Sequence, residues 1–179
     1  MSDAGIPVGG REGSGPEAVA RARLSEKHIA DLRASGLSWE TIVQGEFRTL
    51  HDPKALNALL KRRDASRLGP CLLLPYFDLD GRQVVGYVRA KPDNAPPGKK
   101  EDGKPAKYLS PARVAIRAYF PAGAGTAILD PGRAIAVTEG EKKAAAVWQV
   151  GTAVVGLAGV ECWSKRRPKG ADGRAQGRR

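Results

Sequence analysis

The sequence predicts an α+β fold in which short N-terminal helices precede a β-hairpin, and a strand-helix-strand unit with a parallel pair follows. Three observations carry that reading. Between Leu24 and Leu60, apolar residues recur at helical spacing behind Ser and Asp caps. In GPCLLLPYFDLDGRQVVGYVRAKPD, two apolar runs flank Asp80-Gly81, the strongest short-range hairpin signal in the chain. From Ala134 to Leu157, an apolar run, an Ala-rich helix-prone stretch and a second apolar run succeed one another.

The first 20 residues contain five Gly and two Pro and are expected to be disordered. A helical segment over 21–69 comes next. Ser25 caps a first helix carrying Ile29 and Leu32, which Gly36 stops; Ser38 caps a second with Ile42 and Val43. Asp52 and Pro53 open a third, with Leu56, Leu59 and Leu60 on one face. Three short helices invite a helix-turn-helix reading, but Trp39 to Gln44 carries Glu40 and no Lys or Arg, which leaves no base-reading surface.

A β subdomain is expected over 70–125, with Leu72 to Phe77 paired to Gln83 to Arg89. Asp78 and Asp80 read as the polar tip of that hairpin rather than as a metal-binding pair. Lys91 to Lys107 holds four Pro, two Gly, five Lys and three acids, an exposed loop by composition. In the last folded segment, 126–163, Glu139 falls at the carboxyl end of the first strand, the edge where open α/β sheets place ligands.

Composition narrows the function classes. The 179 residues include 30 Lys or Arg against 19 Asp or Glu, a formal net charge of +11. Seven of those basic residues, against Asp172 alone, lie in the tail 164–179, which is expected to stay disordered unless an anionic partner such as nucleic acid orders it. No apolar run approaches the roughly 20 residues of a membrane span, and the N-terminus lacks a secretory layout, so a cytoplasmic protein with no membrane partner is expected. Cys71 and Cys162 lack the spacing of a zinc site or disulfide framework and read as core residues; His28 and His51 read as surface or capping residues.

At the strand end, Glu139 suits a hard cation such as Mg²⁺, and Lys142 and Lys143 in the first helical turn suit phosphate oxygens. The same residues also fit a plain reading, in which Glu139 and Glu141 favour the positive end of the helix dipole and the lysines are solvated. No GxxxxGK[ST] phosphate loop is present.

Two distant segments then agree. Leu74-Pro75-Tyr76-Phe77, Asp80-Gly81-Arg82, Val85-Gly86-Tyr87-Val88-Arg89 and Lys107-Tyr108-Leu109-Ser110-Pro111 resemble the stretch of bacterial-type DNA primases just before their Toprim subdomain. Val137-Thr138-Glu139-Gly140-Glu141-Lys142-Lys143-Ala144 resembles the first Toprim motif, and Val155 to Val160 the Gly-containing segment after it. The version Thr-Glu-Gly-Glu-Lys-Lys-Ala is most similar to Toprim-like domains of unknown function in phage and plasmid primase-helicase proteins. The resemblance implies a partial Toprim-like α/β fold and Mg²⁺-dependent nucleotidyl transfer on a nucleic-acid template. Glu139 would be the catalytic and metal residue, with Arg89, Lys107, Lys142 and Lys143 on phosphate. Single-stranded DNA or another nucleic acid, and a replicative helicase module, are the implied partners. A complete Toprim subdomain also has a later strand ending in Asp-x-Asp, and this sequence offers only Asp172 after Trp163. An N-terminal fragment, a noncatalytic binding module or an inactive remnant are the readings that follow.

Overall fold

The computed structural model describes residues 15–97 and 105–159. The basic tail and Cys162 lie outside the described residues. Helices α1 (Pro16–Arg23), α2 (Glu26–Ala34) and α3 (Trp39–Gln44) come first, followed by strand β1 (Arg48–Leu50) and helix α4 (Pro53–Leu60). Strands β2 (Cys71–Phe77) and β3 (Gln83–Pro92) form the hairpin; α5 (Gly125–Leu129), β4 (Ala136–Glu139), α6 (Glu141–Trp148) and β5 (Val154–Leu157) complete the order.

The caps act as their chemistry requires. Ser25, Ser38 and Asp52 accept from the backbone N–H groups of His28, Thr41 and Lys54 respectively, each satisfying an orphan donor in a first turn. Gly36 ends α2 in the left-handed region at φ 78. Helix α1, however, starts inside the stretch expected to be disordered. Its Ala20 is buried against the helices and the β2 leucines, and tertiary packing outweighs the local Gly content.

The three-stranded sheet runs β1-β2-β3, antiparallel throughout, and its pleat sorts the core into two layers. Leu72 and Leu74 face α1 to α3, whereas Cys71, Leu73, Val88 and Ala90 face α4 with Leu56 and Leu60. Each fully buried leucine contributes about 2 kcal/mol through removal of its surface from water. Pro75 sits in the middle of β2, where a missing N–H would normally break the ladder. Ala90 exchanges its backbone hydrogen bonds with Leu109, so Pro75, opposite Val88, lies at a position that donates nothing to β3, and β1 ends opposite Leu73; the missing N–H costs no ladder bond, and the register shifts only after it.

At the tip, Asp78 behaves as a turn residue: its carboxylate accepts from the Arg82 N–H at 2.8 Å and its carbonyl from the Gly81 N–H at 3.1 Å. Helix α5 packs on that tip, and a Cβ at Gly125 would collide with the Leu79 carbonyl. Strands β4 and β5 pair in parallel, Ala136 opposite Val154 and Glu139 opposite Leu157, with α6 as the crossover. The first of these strands is not fully buried as its apolar sequence suggests, since Val137 is 67% exposed.

His28 overturns the surface expectation. It is 3% exposed, with Nδ1 2.7 Å from Thr49 Oγ1 and Nε2 3.2 Å from Asp93 Oδ1, tying α2 to β1 and to the end of β3. Burial holds its pKa below the ordinary 6.5, with Asp93 opposing in part. The unfolded chain therefore takes up this proton first as pH falls. Stability is full above 6.5 and declines as pH drops below that value. Urea midpoints are expected to fall between pH 7.5 and 5.5 in the wild-type protein, with a smaller fall in His28→Gln; an unchanged pH slope in the variant would contradict this account.

Candidate functional site

The site begins where β4 ends. Gly140 takes φ 88, a backbone setting that favours glycine, and turns the chain from strand into helix α6. That turn sends two neighbouring carboxylates in different directions. Glu139 is exposed at the strand's carboxyl end, and Glu141 is 2% exposed beneath the helix start.

Glu141 Oε1 accepts from the Tyr76 hydroxyl at 2.6 Å and from Arg89 NH1 at 2.9 Å. Arg89 also donates to the Ala158 carbonyl at 3.3 Å and lies 4.9 Å over the Tyr108 ring. Burial alone would lower the Arg89 pKa, but the Glu141 carboxylate raises it overall, so the guanidinium stays charged. Burial and the same carboxylate push the Tyr76 hydroxyl far above its usual range and raise Tyr108 to about 12. Both phenols are neutral donors at physiological pH. Around them, Tyr76 stacks edge-on with Tyr87 and Tyr119 at 4.7 and 5.2 Å.

The residues singled out from the sequence therefore divide. Arg89, expected on a phosphate-binding surface, is buried and engaged with Glu141, because register places it opposite Leu74 on the inner face of β3. Lys142 is half-buried and donates to Asp31 Oδ2 at 2.9 Å, while Lys91 donates to Asp31 Oδ1 at 2.7 Å. Burial would raise the Asp31 carboxyl, and the two ammonium groups outweigh it, leaving its pKa below the ordinary value. Glu139, Lys143 and Lys107 are exposed. Tyr108 on Arg89, Arg89 on the Ala158 carbonyl and Leu157 opposite Glu139 join the segment after Lys107 to the end of the β4–β5 pair.

Sequence reasoning assigned no role to Tyr76 or Asp31 and read Glu141 only as a dipole partner. The hairpin alternation does contain a signal for Glu141: an arginine sharing a face with Leu72 and Leu74 demands a buried counter-charge. For Mg²⁺ the fit is poor. Among the described residues no group of three His, Cys, Asp or Glu side chains converges, and Glu141 is already committed to Tyr76 and Arg89, whereas the ion prefers six oxygen ligands.

Comparison with known proteins follows the same division. A family model for a domain of unknown function (DUF3854) matches residues 126–179, which includes the β4–α6–β5 unit. No curated protein sequence matches the chain. Among solved structures, the primase of Aquifex aeolicus (zinc-binding and RNA polymerase domains) is similar with a TM-score of 0.52 at 16% identity, over 80% of this chain and 41% of that one. The DnaG catalytic core is similar with a TM-score of 0.50 at 16% identity, over 80% of this chain and 53% of that one. The DnaG primase catalytic domain bound to ssDNA also gives 0.50, at 15% identity, over 80% and 52%. The chain thus has a primase-like fold and spans about half the length, or less, of the primase structures it resembles. No helix among the described residues is long and apolar enough to cross a membrane.

Lys142 and Lys143 are adjacent in sequence and differ in structural role, which generates a direct expectation. Lys142→Met should cost about 1 kcal/mol of folding stability by removing a partly buried partner of Asp31. Lys143→Met and Glu139→Gln should each stay within about 0.5 kcal/mol of the wild type. Equal urea midpoints for all three variants would contradict the assignment.

Proposed function

We propose that the protein is a nucleic-acid-binding core of the primase type, of the kind carried by phage and plasmid primase-helicase proteins, working beside a replicative helicase module. The observation that carries this reading is the primase-like fold itself, extending over 80% of the chain and ending a parallel strand on an exposed carboxylate, Glu139. The pI near 10.0 supports an anionic partner. In this reading Lys107 and Lys143 neutralise phosphate oxygens. Arg89 and Lys142 act indirectly, Arg89 by fixing Glu141 and Lys142 by holding α2 against α6.

The associated chemistry is Mg²⁺-assisted nucleotidyl transfer on a template. The ion would polarise phosphate and hydroxyl oxygens, and Glu139 would supply one of its carboxylates. The described residues do not complete such a site, so binding is the activity proposed for this chain alone. Its synthesis of primers on a single-stranded template should not exceed that of a Glu139→Ala control.

Binding can be measured by fluorescence anisotropy with labelled oligothymidylate over a salt series. Log affinity should fall linearly with log salt, at about 0.7 per phosphate neutralised. The double variant Lys107→Ala, Lys143→Ala should bind more weakly and with a salt slope shallower by about 1.4. An unchanged slope in that variant would remove these two lysines from the interface, and absence of wild-type binding at low salt would reject the proposed function.

A further inference from the structure

Between Lys107 and Leu129 the chain holds three basic residues, Lys107, Arg113 and Arg117, and no Asp or Glu. From Ser110 to Ala118 this stretch has neither helix nor strand, yet it is pinned along its length. Leu109 exchanges backbone hydrogen bonds with Ala90 at 2.8 and 2.9 Å, and Tyr119 does so with Gly156 at 2.8 and 2.9 Å. Between those ends the Ala112 N–H donates to the Leu60 carbonyl at 2.9 Å, and the Arg117 N–H to the Tyr87 hydroxyl at 3.3 Å. The segment is therefore a fixed strap, and its Ala112 contact seats it on the last turn of α4.

That contact sets two cations side by side. Lys61 follows Leu60 and Arg113 follows Ala112, so their Cα atoms are no more than roughly 11 Å apart. Both residues are exposed, and Arg63 adds a third exposed cation beside Lys61. Among the described residues only Arg62 of this group is neutralised, by two hydrogen bonds to Asp64 at 2.8 and 2.7 Å. The segments outside the described residues hold eleven Lys or Arg against six Asp or Glu, so as a set they add to this positive field. The backbone sharpens the point. Lys61 at φ 52 and Arg113 at φ 60 both lie in the left-handed region, which glycine enters freely and a residue with a Cβ does not. Lys61 takes that setting because it ends α4, and a cation at a helix C-terminus is favourable in itself. Arg113 belongs to no helix, so that explanation does not reach it. Two positions that glycine would fill with less strain instead carry like charges next to each other, and an anion placed between them offsets both costs.

We propose that Lys61 and Arg113 form a phosphate clamp for the backbone of a nucleic-acid strand, built on elements other than those that carry Glu139 and Lys143. The clamp deepens the proposed function and rests on it. Lys107 stands at one end of the strap and Arg113 six residues further on, a span of at most roughly 22 Å. A strand held at Lys107 therefore continues across the end of α4, and the two contacts are sequence-tolerant because they touch phosphate only.

Glycine substitution in the full chain tests the clamp, because it removes each charge and relieves the backbone at once. The double variant Lys61→Gly, Arg113→Gly should unfold at a urea concentration no lower than that of the wild type. Its affinity for labelled oligothymidylate of about 16 nucleotides should fall at least about fivefold at low salt. Its salt slope should be shallower by about 1.4, one phosphate for each side chain. The control Arg82→Gln, Arg133→Gln removes the same net charge from exposed contacts with Asp80 and Asp130, and should keep the wild-type slope. A wild-type slope in the glycine variant, an equal loss in the control, or a urea midpoint well below that of the wild type would each overturn the clamp. Absence of wild-type binding rejects the proposed function and the clamp together. Binding that Lys107→Ala, Lys143→Ala weakens and the glycine variant does not leaves the proposed function standing and overturns the clamp alone.

Discussion

The buried pair between Arg89 and Glu141 is the constraint on which the rest of the molecule depends. Its two residues belong to different layers, Arg89 to the antiparallel sheet and Glu141 to the first turn of α6, and both are nearly removed from water. Two charges in that environment are tolerable only when held together with their remaining hydrogen-bonding capacity used. Tyr76 supplies the second donor to Glu141, and the Ala158 carbonyl takes part of the guanidinium. Arg89 Nε and the Tyr119 hydroxyl are buried without a partner among the described residues, so this polar core is stabilising only while the Arg89–Glu141 contact is intact.

That arrangement explains why two carboxylates one residue apart take unlike roles. Gly140 lets the chain reverse direction between them; Glu141 is drawn inward by Arg89, and Glu139 is left at the strand end facing solvent. Lys142 and Lys143 divide in the same way, because a residue on the inner side of α6 meets Asp31 of α2 and its neighbour does not. The motif's charges are thus half architecture and half available surface. The available half is Glu139 and Lys143, whose side chains face solvent.

Much of this was legible in the sequence. The caps at Ser25, Ser38 and Asp52, the Asp80-Gly81 hairpin and the parallel pairing of the strands around α6 all follow from local chemistry and from connection length. Strand β1 and helix α1 were not legible, because three residues of strand and an Ala-containing helix in a Gly-rich stretch gain their stability from what they pack against. The burial of Arg89 was legible only in part. Alternation along β3 puts it on the face of the hairpin that holds Leu74, but nothing local says that the face is covered. His28 was misread for the same reason: its partners, Thr49 and Asp93, are 21 and 65 residues away.

The measurement that tests this account most directly is a double-mutant cycle on Arg89 and Glu141, read by urea unfolding. Arg89→Met and Glu141→Gln should each cost about 3 kcal/mol or more, since each leaves the other residue buried without its partner. The double variant should be no less stable than the worse single one, giving a coupling of at least about 3 kcal/mol. Costs that simply add would show that the two charges act independently and that their contact is not what joins the sheet to the strand-helix-strand unit.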